Sequence, residues 1–119
     1  MMLSKEDIFS AQDLETVVVE VPEWGGKVCL SVMSGVARDN YESSLFIINK
    51  DGSTTPNLEN SRAKLLAACI VDENGKQLFA SQDIAKLGLK NGLVLDRLHS
   101  LATELNASSS EQVEELAKN

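Results

Sequence analysis

The sequence predicts an α+β fold that is mainly helical, an N-terminal β-hairpin followed by four or five helices in one small domain. Two patterns and the chain length carry that prediction. A β-branched run, Thr16 to Val21, precedes an alternating segment, Lys27 to Met33, in which Val28, Leu30 and Val32 fall on one face. Beyond them, apolar residues recur at helical spacing of three and four. A chain of 119 residues, 43% hydrophobic and 24% charged, suits one packed core without disulfides or a structural metal.

The elements follow in order. Ser4 precedes Lys5, Glu6 and Asp7 as a cap for a short helical turn that carries Ile8 and Phe9. In the first strand, Val gains from packing on a pleated surface what it would lose in side-chain freedom on a helix. Pro22 removes a backbone donor and ends the strand, and Glu23-Trp24-Gly25-Gly26 supplies a turn of four to five residues. Val36 to Ile48 reads as a helix, with Tyr41, Leu45 and Ile48 on one face. Asn49 to Pro56 is a loop by composition, and Asn57 is the expected N-cap of a helix from Leu58 to about Ile70. Asn74-Gly75 then marks a tight turn, with a short hairpin that returns Phe79 to the core. Ser81 or Asp83 caps a short helix ending at Leu87, and Asn91-Gly92 opens a leucine-rich helix to about Leu105. Residues 1–107 are expected to form the domain. Ser108 and Ser109 stand at capping-box spacing from Glu111 and Gln112, so residues 108–119 are expected to form a mobile acidic helical tail anchored only by Val113 and Leu116.

Composition narrows the function. Eleven basic against eighteen acidic residues give a net charge of -7 with no basic patch, which argues against nucleic-acid binding. No apolar run approaches the ~20 residues of a membrane span, and the first residues lack the pattern of a secretory signal, so a cytoplasmic location is expected. Cys29 and Cys69 read as two buried thiols of a reducing compartment. His99 is the single histidine, and neither cysteine stands where its pKa would fall, so no thiol-imidazole pair is expected. No metal-ligand spacing and no phosphate-cradling glycine motif occurs, so neither metal nor cofactor is expected. Trp24 sits in a turn, where a large aromatic serves either as a partner contact or as a lid over the core. Leu98, Leu101 and Leu105 share one face of the leucine-rich helix and are either a groove wall for a partner or ordinary core. Val113 and Leu116, set among acidic residues, are either a second apolar contact on a docking helix or part of a solvated end.

Several segments, in order, resemble the tail assembly chaperones of long-tailed bacteriophages and prophages. They are Val19-Glu20-Val21-Pro22-Glu23-Trp24-Gly25-Gly26, then Met33-Ser34-Gly35, Arg38-Asp39 and Tyr41-Glu42, then Asn60-Ser61-Arg62-Ala63 and Val71 to Phe79, and finally Asp83 and the helix from Leu93 to Leu105. The resemblance spans about residues 16–106 and departs from the family in the first fifteen residues and the serine-broken tail. It implies a non-enzymatic protein of the host bacterial cytoplasm. Such a protein binds the tape measure protein, keeps it soluble, helps recruit the tail tube protein and leaves the finished particle. It also implies self-association as a homo-oligomer and a longer frameshifted form of the same chain, for which Ala117-Lys118-Asn119 is compatible with a slippery stretch in the gene. The rival readings are a head-tail or tail completion protein retained in the virion, an enzyme using Cys29 or Cys69, and a nucleic-acid binder.

Overall fold

The computed structural model describes residues 1–107. Helix α1 (Lys5–Ser10) opens the chain with a complete capping box: the Asp7 amide donates to Ser4 Oγ, and the Ser4 amide donates to Asp7 Oδ2. Strands β1 (Thr16–Val21) and β2 (Gly26–Ser31) then pair antiparallel, Thr16 opposite Ser31 and Val21 opposite Gly26. The alternation of β1 decides its burial: Val17, Val19 and Val21 face the core, whereas Val18 points to solvent. Between the strands, Pro22–Trp24 forms one 3-10 turn, and Gly25 at φ 77° occupies the left-handed region that favours glycine.

Helix α2 (Gly35–Ser43) is capped by Ser34, whose Oγ accepts from the Ala37 amide. It ends earlier than the apolar spacing predicts. Phe46, Ile47 and Ile48 are consecutive, bulky and mostly β-branched, and they form strand β3 (Phe46–Ile48). The segment read as a loop supplies its partner, β4 (Thr54–Pro56), in the register Phe46↔Pro56 and Ile48↔Thr54. Asp51 Oδ1 closes the turn by accepting from both the amide and the hydroxyl of Ser53. The expected cap at Asn57 is also corrected. Its amide donates to Leu45 O and extends the ribbon, so α3 (Ser61–Cys69) starts after Asn60, which stands at φ 54°. Leu58 consequently lies outside the helix and is exposed.

Strand β5 (Ile70–Val71) adds to β2 and completes a sheet of order β1-β2-β5. The Asn74-Gly75 turn forms as expected: Val71 bridges Gln77, and Phe79 packs against the core. A 3-10 turn at Ser81–Asp83 leads into α4 (Ile84–Leu87), and α5 (Gly92–Ala107) closes the described chain. One face of the three-stranded sheet is covered by α3 and α5, which pack on each other. Val17, Val21, Leu30, Leu66, Ile70, Val94, Leu98 and Leu105 form the solvent-free centre. This is the expected α+β architecture, with a second, two-stranded ribbon that the sequence reading lacks. The expected acidic tail, 108–119, lies outside the described residues.

Candidate functional site

Trp24 marks the site, and the 3-10 turn fixes where it points. Its neighbour Glu23 takes two hydrogen bonds from Arg97 of α5, at 2.8 and 2.9 Å, so the turn is clamped to the long helix. These bonds hold the Glu23 carboxyl well below the usual carboxylate range, at about 2. Trp24 is half-buried and packs against the core, but part of it faces a pocket of about 430 Å³. Leu78, Phe79 and Leu87 form the other apolar walls, and Asp83, Lys86 and Lys90 line the rim. Lys86 and Lys90 stand four apart in sequence, and neither is ion-paired among the described residues. The result is an apolar recess beside two cations on a protein of net charge -7. It offers burial of apolar side chains beside a charged rim.

The other expected contact residues fall elsewhere. Leu98, Leu101 and Leu105 are core, at 0%, 7% and 1% exposure, because their face of α5 packs against α3 and the sheet. The groove-wall alternative is therefore corrected: this helix face is already covered. Val113 and Leu116 lie outside the described residues. Beyond the expected set, Phe46, Ile47 and Ile48 on β3 are all substantially exposed, as are Ile8 and Phe9 on α1. The apolar spacing hides the β3 row because it places these residues inside a helix, with Ile48 on its apolar face. The spacing of Lys86 and Lys90 was the one available signal for the pocket rim.

Chemistry elsewhere is quiet. Cys29 and Cys69 are both free thiols, Cys29 half-buried and Cys69 buried. Burial pushes the Cys69 thiol up to about 11, the opposite of what a nucleophile needs. The half-buried His99 is shifted down by desolvation and then by Arg62, which favours its neutral form. Among the described residues no group of His, Cys, Asp or Glu could hold a metal ion. No described helix is long and apolar enough to cross a membrane.

Comparison with known proteins agrees with this fold. The tail assembly chaperone of bacteriophage HK97, whose structure is solved, superposes with a TM-score of 0.57 at 22% identity. The match covers 84% of this chain and 90% of that one, which makes the fold common to both. No curated protein sequence matches the chain. The family model described as phage tail assembly chaperone matches residues 4–119, nearly the whole sequence, and the chain belongs to that family.

Proposed function

We propose that this chaperone binds the tape measure protein in the host bacterial cytoplasm, keeps it soluble and helps recruit the tail tube protein, and that it is absent from the mature virion. The role is binding without catalysis. Its partners include further copies of itself, as a homo-oligomer, and a longer frameshifted form. The observation that carries the reading is the apolar pocket beside Trp24, set in a strongly acidic chain of a tail assembly chaperone family. A long apolar partner needs its side chains covered, and a cover of net charge -7 keeps the complex apart from other complexes by repulsion. Trp24 is the anchor in this reading. The exposed β3 row extends the contact, and Val113 and Leu116 add apolar surface from the C-terminal segment. Leu98, Leu101 and Leu105 contribute from inside, by holding the platform behind the pocket.

Co-expression with the tape measure protein of the encoding phage tests the reading. Soluble tape measure protein that co-purifies with the chaperone, and aggregates when it is omitted, is the expected outcome. Trp24→Ala should weaken the complex by about 30-fold, the loss of roughly 2 kcal/mol that a buried aromatic anchor supplies. Recovery of the chaperone in purified particles would favour the virion-component reading instead.

A further inference from the structure

Helix α1 is fully capped yet buries none of its residues, and Phe9 is 79% exposed. Six residues are far too few for a helix to hold itself together in water, so such a segment draws its stability from a surface it packs on. Among the described residues of its own chain no such surface covers it. A groove of about 600 Å³ lies between α2, α3 and the segment that leads to α4, with Ala37, Tyr41, Ala67, Ala68, Phe79 and Ile84 among its walls. Among the described residues Lys64 is the only charged one lining it. Its ammonium donates one hydrogen bond to Ser44 O at 3.0 Å and keeps two donors for another acceptor. On α1, Glu6 lies three residues before Phe9 and so beside it on the helix surface, and it has no ion pair among the described residues. An acid next to an exposed aromatic is the complement of one cation in an otherwise uncharged groove that mixes apolar walls with Ser34, Asn40 and Gln77.

We propose that α1 of one copy seats in the α2/α3 groove of a second copy, with Phe9 and Ile8 in the apolar part and Glu6 on Lys64. The root of the arm stands at the groove of its own chain, since Leu14 lines it, while α1 itself projects away with its apolar residues uncovered. The contact joins two different patches, so it can pass from copy to copy without closing. This inference rests on the self-association proposed above and names the surfaces that produce it.

Sedimentation velocity over a concentration series of the full chain is the test. The wild type should gain mass with concentration, and Phe9→Ser should shift that association to at least tenfold higher concentration at unchanged Tm, because Phe9 supports nothing in its own domain. Lys64→Glu should weaken association similarly, and Lys64→Glu combined with Glu6→Lys should restore it. Association indifferent to Phe9→Ser would overturn the arm while leaving self-association standing. A strictly monomeric wild type would overturn both. If Phe9→Ser moves the amide signals of Ala37, Ala67 and Ala68 in a dilute monomer, the arm occupies the groove of its own chain, and the second copy is the wrong occupant.

Discussion

Leu98 distinguishes a residue that builds the domain from one that greets a partner. It is 0% exposed and belongs to the core cluster that also holds the inward valines of β1 and the buried residues of α3. Replacement by alanine removes buried carbon and leaves a cavity that close-packed neighbours fill only in part. Leu98→Ala is therefore expected to cost about 3 kcal/mol of folding stability, measurable by urea denaturation at neutral pH. A partner-facing leucine would behave in the opposite way, with stability nearly unchanged and the complex weakened. Asn106 plays a polar counterpart at the far end of α5. Its Oδ1 accepts from the Met33 amide at 2.8 Å, and its Nδ2 donates to Ala102 O, which ties the helix end to the exit of β2. Nothing in the sequence around Asn106 announces that link, because its partner lies 73 residues away.

The elements that could be read from sequence are those with a strong local signal. The β1–β2 pair follows from consecutive valines and the turn from Pro22 to Gly26, and α5 follows from leucine periodicity; both depend on patterns within a few residues. The β3–β4 ribbon was hidden because Tyr41, Leu45 and Ile48 also fit a helical face, and which period prevails is decided by a pairing partner beyond the turn. The start of α3 was hidden for a related reason. Asn60 stands at φ 54°, a left-handed conformation that Asn tolerates, and its side chain packs so close to Gly88 that a Cβ there would come 2.5 Å from Asn60 Oδ1. Trp24 was legible as special but not as one wall of a pocket, since Leu78, Leu87 and the two lysines arrive from distant segments. The Glu23–Arg97 clamp that orients this turn yields a pH prediction. The folded carboxyl titrates at about 2, against 4.5 in the unfolded chain, so the bond stabilises fully above pH 4.5 and its contribution is lost as pH falls towards 2. Glu23→Gln should lower Tm modestly at pH 7, since the pair is partly exposed, and the gap from wild type should close on acidification in a circular-dichroism melt series.

At the scale of the molecule, shape and charge act together. The radius of gyration is 15.9 Å, above the about 13 Å of a compact chain this long, and the extents are 48 × 40 × 23 Å. The body is built on one sheet face and leaves Ile8 and Phe9 on α1 and Phe46, Ile47 and Ile48 on the β3–β4 ribbon exposed. In the proposed association these residues supply the contact, and the net charge of -7 sets the repulsion that opposes it. Apolar contact is short-ranged, whereas repulsion between acidic copies reaches about 10 Å in 0.1 M salt and about 3 Å in 1 M. Salt therefore separates the two contributions. If the tape measure protein is held through the Trp24 pocket, the purified complex should persist at about 1 M NaCl, where apolar contacts are undiminished, while its solubility limit falls as repulsion between complexes is screened. Affinity capture at graded salt, with light scattering on the eluate, measures both. A complex that dissociates in high salt would be held by Lys86 and Lys90 as point charges, and the apolar wall of Trp24, Leu78, Phe79 and Leu87 would then be a bystander to binding.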